Sequence, residues 1–259
     1  MTGAPANVLV TGANRGIGYG LVKNFLANKD VKRVFATARK PEEAKELVAL
    51  AGPRLTVLQM EVSCDKSIYA AYDKVAQAVG DEGLNLLVNN AGIFVEYNPR
   101  EKPSRAEFTR QLDVNTISPV IVTQVFLPLL QKAAAKNSSD QLSTSRAAVV
   151  NISSTGGSIA YNDRKIWAAA GITVIRPLLA YRVSKSAVNS ITKELGNDLG
   201  KDGILVACFC PGHVQTEMGG KQASLTLDDS MKDLVPSILG LTTEKNGGFF
   251  NQKGEPIPY

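Results

Sequence analysis

The chain has 259 residues, 44% hydrophobic and 20% charged, a composition that excludes disorder and low-complexity architectures and supplies a core without disulfides or a structural metal. Its formal charge is +5, but within the first forty residues seven cations stand against Asp30 alone, so the excess is local and suits a small polyanion. No basic run is interleaved with aromatics as in base-stacking surfaces, so no nucleic-acid partner is expected.

Asn7 to Thr11 is a short apolar run that ends in a glycine-rich turn, after which Ile17, Leu21, Phe25 and Leu26 recur at helical spacing. The first strand follows the amino terminus without the basic flank and apolar stretch of a signal peptide. The alternation returns in Arg33 to Thr37 followed by a helix over Pro41 to Leu50, where Pro fits the first turn. Leu55 to Gln59 comes next, then a helix with Ile68, Ala71, Val75 and Val79 on one face and Asp65 as its expected N-cap. Leu84 to Val88 reads as a fourth strand, and Ala106 to Lys136 as one or two helices interrupted near Pro119. Within it, the weakly polar stretch Ser118 to Leu130 is shorter than the ~20 residues of a bilayer span, so no membrane crossing is expected. Beyond a polar loop at Lys136 to Arg146 come a fifth strand at Ala147 to Ile152, a helix at Tyr181 to Leu199 and a sixth strand at Ile204 to Phe209. Phe249 and Phe250 start a seventh. Apolar strands without polar alternation, each separated by a helix, predict one doubly wound α/β domain over residues 1–259, with a parallel sheet of about seven strands covered on both faces.

Cys64, Cys208 and Cys210 cannot all pair, which points to a reducing compartment and to the cytoplasm. Cys208, Cys210 and His213 fall within six residues but lack zinc-site spacing, so the two cysteines read as small buried hydrophobes and no metal is expected.

The first turn reads Thr11-Gly12-Ala13-Asn14-Arg15-Gly16-Ile17-Gly18. Between a strand and a helix, its glycines let the backbone approach a diphosphate, to which the helix offers unpaired N–H groups. Twenty residues past Gly18, where a dinucleotide fold places an acid for the ribose diol, stand Ala38 and Arg39. A guanidinium pairs with a 2′-phosphate that a carboxylate would repel, so Arg39, with Arg15 as second cation, predicts NADP rather than NAD. Tyr181 and Lys185 are four apart on one helix face, and an ammonium so close is expected to pull the phenol toward neutrality. Ser154 follows the fifth strand, where parallel-sheet sites gather.

These motifs together resemble the short-chain dehydrogenase/reductase family over almost the whole chain. The matching residues are the glycine turn 11–18, Asn89 to Gly92, Asn115, Ser154, the Tyr181/Lys185 pair and Pro211 to Thr216. The context around Tyr181 and the Met-Gly-Gly after Thr216 look most like the carbonyl-reductase branch that includes sniffer and C-factor-like proteins. The resemblance implies that Tyr181 gives a proton to the substrate carbonyl as hydride arrives and that Ser154 steadies the carbonyl oxygen. It implies that Lys185 lowers the phenol pKa and holds the nicotinamide ribose, and that Asn115 carries a water linking Lys185 to solvent. Asn90, Ala91 and Gly92 would line the adenosine and ribose channel, and Val214 and Thr216, beyond Pro211 and Gly212, would fix the carboxamide. Glu61-Val62 stands where the family usually has Asp-Val beside the adenine, and the span from Ser154 to Tyr181 exceeds the family norm.

NADPH-dependent reduction of a small, apolar carbonyl compound is therefore the expected activity. The alternatives are alcohol oxidation and a regulatory protein that binds NADP(H) with little turnover. A homodimer or homotetramer is expected. Residues 155–180, with Tyr161, Ile166, Trp167, Ile172 and Ile175, and 217–241, with Leu225, Leu227, Leu234 and Ile238, are the expected substrate loops, read as a mobile lid or as an interface.

Overall fold

The computed structural model describes residues 3–137, 141–163 and 177–259. Seven strands, β1 (Asn7–Val10), β2 (Arg33–Ala38), β3 (Leu55–Gln59), β4 (Leu86–Asn89), β5 (Ala148–Ile152), β6 (Leu205–Phe209) and β7 (Phe249–Phe250), form one sheet in the order β3-β2-β1-β4-β5-β6-β7. Every pairing is parallel, and helices cover both faces: the doubly wound α/β architecture that the alternation predicts. The helices among the described residues are α1 (Gly16–Ala27), α2 (Lys45–Ala49), α3 (Asp65–Val79), α4 (Arg105–Leu112), α5 (Ser118–Ala135), α6 (Leu179–Leu199) and α7 (Leu227–Leu239).

Burial on both faces is why the strands show no polar alternation. Val8 and Val10 of β1 pack with Leu21, Phe25, Met231 and Leu234 from α1 and α7, whereas Leu9 points to the opposite side, with Ile68, Val75, Phe126 and Leu129 from α3 and α5. Each such side chain, fully buried, contributes roughly 1.5 to 3 kcal/mol.

Three local readings change. The helix expected over 41–50 is a 3₁₀ turn at Pro41–Glu43 and a separate α2, because Ala44, buried against the core, takes a non-helical ψ of 56°. Asp65 does not cap α3: extended Cys64 holds that position without a side-chain bond, and Asp65 is the first helical residue, its carboxylate facing the positive helix end. The interruption between α4 and α5 is a π-helical turn, Asp113–Ile117, directly before Pro119. Helix therefore runs unbroken from Arg105 to Ala135, long and apolar enough to cross a membrane by length and composition, which the stretch Ser118 to Leu130 did not reveal. Val122, Phe126, Leu129 and Leu130 of that helix are buried against the sheet.

Candidate active site

The pairings Val10↔Val88, Asn89↔Asn151 and Ile152↔Phe209 align the carboxyl ends of β1, β4, β5 and β6 on one edge. The chain leaves β1 toward β2 and β3 on one side and returns to β4 on the other, so a crevice opens at this switch in strand order. The glycine turn, the Asn90–Gly92 segment, Ser154 and Pro211 all follow these strand ends.

The first two are joined by direct bonds. Thr11 Oγ1 accepts from the backbone N–H groups of Asn90 (3.0 Å) and Ala91 (2.9 Å), and Asn90 Nδ2 donates to the carbonyls of Thr11 (2.8 Å) and Gly12 (3.0 Å). Gly12 has φ +61°, and a Cβ there would lie 2.8 Å from Ala91 Cα; a Cβ at Gly18 would lie 2.5 Å from Asn90 Nδ2. Side chains at either place would fill the turn. Helix α1 begins behind Arg15 without a side-chain cap and without an acid in its first turn, so its N–H groups and positive dipole end stay available around Asn14, Gly16 and Ile17. This cradle fits a dinucleotide diphosphate.

Farther along the edge, Arg39 ends the β2 side with its guanidinium two-thirds exposed, Nε 3.8 Å from Glu61 Oε2. The Glu61 carboxylate also accepts from Ser63 Oγ at 3.2 Å, so this longer acid is turned toward Arg39 and its own loop. Val62 lines a narrow space with Thr11, Asn89, Ala91 and Val114. Arg15, expected as a second phosphate cation, is paired with Glu217 at 2.5 Å, which ties the glycine turn to the segment after β6. In that segment Pro211 accepts from Ser230 Oγ, Gly212 has φ +87°, Val214 bridges to Leu225, and Thr216 Oγ1 accepts from Gly219 N. Thr216 also leans on the glycine turn, its Cγ2 3.3 Å from where a Gly16 Cβ would stand.

The other corner is made of side chains, the buried Lys185 with the half-buried Ser154 and Tyr181. Tyr181 and Lys185 share one face of α6. Ser154 stands near enough to Tyr181 to favour its ionised form, while its Oγ accepts from Gly156 N at 3.0 Å. Lys185 is 6% exposed; its Nζ donates to Ile152 O at 2.7 Å and lies 5.8 Å from the Tyr181 ring centroid. The expected lowering of the phenol does not hold in the chain alone. Burial pushes Tyr181 up to about 12, with Ser154 opposing it, and pushes Lys185 down to about 8. The reason is geometric: the ammonium is spent on a carbonyl and stands over the ring, while desolvation penalises both charged forms.

Asn115 sits in the π turn, buried. Its Oδ1 accepts from Ile93 N (2.8 Å) and its Nδ2 donates to Ile93 O (3.0 Å) and Ser184 Oγ (3.2 Å). Ser184 Oγ in turn donates to Tyr181 O at 2.7 Å, so the Asn115 side chain reaches the backbone of Tyr181 and not Lys185 directly.

Three participants escaped the sequence reading. Thr11 was legible as a motif letter but not as the acceptor that fuses two segments. Phe94, two residues after Gly92, sets its ring edge-on to Tyr181 at 5.5 Å and 70°, with no periodicity to announce it. Cys210, which accepts from Thr155 Oγ1 at 3.1 Å, lies close enough to oppose ionisation of Tyr181. The lid expectation is also revised. Leu234 and Ile238 are fully buried in α7, which packs so closely on α1 that a Cβ at Gly20 would lie 2.9 Å from Met231 Cγ, so this part of 217–241 is core. Ile166, Trp167, Ile172 and Ile175 lie outside the described residues.

A family model for short chain dehydrogenases matches residues 6–225. The chain is similar to solved structures of Sniffer from Caenorhabditis elegans (43% identity, 99% of this chain and 100% of that one, TM-score 0.89) and of carbonyl reductase Sniffer from D. melanogaster (36%, 98% and 100%, 0.90). It is likewise similar to NADPH-bound carbonyl reductase from chicken fatty liver (37%, 100% and 96%, 0.91).

Proposed function

The chain belongs to the short chain dehydrogenase family, and on that premise we propose that it is an oxidoreductase that reduces a small carbonyl compound with NADPH. The observation that carries this reading is the half-buried Ser154–Tyr181 pair beside the buried Lys185 at the carboxyl edge of the sheet. NADPH, when bound, supplies the hydride. The remaining work falls to the protein.

Tyr181, held near 12, keeps its proton at neutral pH and is a donor to a carbonyl oxygen that is gaining negative charge. The Ser154 hydroxyl, beside the same phenol, gives that oxygen a second polar contact and fixes its place. Lys185, charged below about 8 and 5.8 Å from the Tyr181 ring centroid, keeps a positive charge beside the site. The glycine turn and α1 would hold the diphosphate, and exposed Arg39 would meet a 2′-phosphate. NADPH in the chicken carbonyl reductase structure supports that choice. We favour reduction over alcohol oxidation, because a Tyr181 that keeps its proton at neutral pH starts as the acid that reduction needs. Three free thiols, two of them buried, support a cytoplasmic setting.

A panel of apolar aldehydes, ketones and quinones assayed by NADPH consumption tests the reading. Turnover is expected, with kcat/KM level between about pH 6 and 7 and falling above about 8, as Lys185 loses its charge in the free enzyme. No NADPH consumption with any member sinks the reading, and a profile that rises through pH 8 would make Tyr181 a base rather than an acid.

A further inference from the structure

The turn that carries Ser154 is held from two sides, and one of them is the segment after β7. Beyond Phe250 the chain reverses through a tight turn, in which Asn251 Oδ1 accepts from the N–H groups of Lys253 and Glu255 (both 3.0 Å) and Gly254 takes φ +77°. It then runs back antiparallel along β7, with Phe250 bridged to Pro256 and Ile257 N donating to Phe249 O at 2.8 Å. Ile257 joins Cys208, Cys210 and Phe249 in a small buried cluster, against which Tyr161 packs.

From there the segment reaches the site. Pro258 O accepts from Ser158 Oγ at 2.6 Å, and Tyr259 O accepts from Ala160 N at 3.0 Å. Tyr259 is anchored by its own hydroxyl, which donates to Gly247 O at 2.6 Å, and by its ring beside Phe249. Ser158 is 1% exposed and closes the short helix Thr155–Gly157, its N–H donating to Thr155 O at 3.1 Å. On the opposite side this helix lies flush on α6. A Cβ at Gly157 would stand 2.6 Å from the carbonyl carbon of Lys185, and Ser186 Oγ donates to Gly157 O at 2.8 Å. The order of contact is continuous: Tyr259 and Pro258, Ser158, the Thr155–Gly157 turn, then Ser154 on one strand end and Lys185 on the helix.

We propose that Ser158 and the segment Pro256–Tyr259 are positioning elements that press the Ser154 turn against α6 and so hold the Ser154 hydroxyl beside Tyr181. The proposal rests on the carbonyl-reductase reading for its catalytic consequence. The brace itself is a property of the chain without cofactor or substrate. A displacement of Ser154 by a fraction of an ångström leaves the glycine turn untouched but weakens the alignment of the two groups that meet the carbonyl oxygen.

Ser158→Ala and a chain shortened to end at Ile257 test it, read by steady-state kinetics, by NADPH titration and by amide hydrogen exchange of the cofactor-free protein. Both variants are expected to lower kcat about tenfold with KM for the carbonyl and the NADPH Kd within twofold of wild type, and to speed exchange at Gly156, Gly157 and Ser158. Tyr259→Phe, which removes a single anchoring bond, should show the same pattern at smaller amplitude. An unchanged kcat overturns the positioning role, as does a loss of kcat matched by an equal loss of NADPH affinity. Unchanged exchange at Gly156 to Ser158 overturns the brace. Wild-type protein that consumes no NADPH would instead overturn the functional reading, while exchange still decides whether the segment holds the turn.

Discussion

The two corners of the crevice are built by different means. Around Gly12 and Gly18 the structure is made mostly of backbone: the Thr11 hydroxyl and the Asn90 amide clamp main-chain N–H groups and carbonyls across two strand ends, and room exists because the glycines carry no side chains. Around Tyr181 it is made by side chains, the buried Lys185 with the half-buried Ser154 and Tyr181, and desolvation changes their chemistry, raising the phenol and lowering the ammonium. A backbone-built corner is damaged by adding atoms, and a side-chain-built corner by removing them. Substitutions of each kind should therefore fail in separable ways, one in cofactor affinity and the other in turnover.

The largest effect is expected in the side-chain corner. Tyr181→Phe keeps the ring and its edge contact with Phe94 but removes the phenol proton, so kcat should fall by about a thousandfold or more. NADPH affinity should stay within about threefold. Retained turnover with an accepted carbonyl would show that the proton comes from elsewhere.

Gly12→Ala probes the other corner and should invert the pattern. The added methyl would sit 2.8 Å from Ala91 Cα at a φ of +61°, so the turn must shift, and NADPH affinity should drop about a hundredfold. At saturating NADPH, kcat should remain within a few-fold of wild type. An unaltered Kd in a fluorescence titration would mean that the diphosphate does not use this turn.

Arg39→Ala sharpens the contrast, because Arg39 belongs to the cofactor side yet acts through its side chain. The preference for NADPH over NADH should fall about tenfold. This is less than a buried charged hydrogen bond would give, since the guanidinium is two-thirds exposed and shares Glu61. Equal affinities of wild type for both cofactors would dispose of the 2′-phosphate role altogether.

The same division explains how much was legible in the sequence. The sheet was readable because strands buried on both faces are written as uninterrupted apolar runs, as in β6, whose residues Leu205–Phe209 are all buried. The glycine turn was readable because a positive φ or a close backbone approach leaves few residue choices. Tyr181, Lys185 and Ser154 could be found by spacing and order, but not their ionisation, which depends on how completely β5, β6 and α6 enclose them. Nor could spacing show that the Lys185 ammonium would be taken by Ile152 O, or that Arg15 would pair with Glu217, two hundred positions away in the chain. The split of 41–50 at Ala44 and the π turn at Asp113–Ile117 escaped for a related reason, because tertiary burial overrode local periodicity.

Phe94 is the most demanding test of this contrast, for it stands between the corners. It follows the Asn90–Gly92 segment of the backbone-built side, and Ile93 before it is pinned through both N–H and C=O to Asn115. Its ring meets the side-chain-built corner edge-on at Tyr181. An edge-to-face pair of this kind contributes roughly 0.5 to 1.5 kcal/mol, and losing it leaves the phenol ring one wall short rather than without its proton. Phe94→Ala should thus lower kcat/KM by about two- to tenfold, with most of the change in KM, since the removed ring also offers an apolar surface beside the reacting oxygen. Phe94→Leu should recover part of the loss. NADPH affinity should be unchanged, because the pinned backbone of Ile93 is left intact. If Phe94→Ala instead weakens NADPH binding while KM for the carbonyl stays constant, Phe94 belongs to the cofactor side, and the boundary between the two corners runs on the other side of this ring.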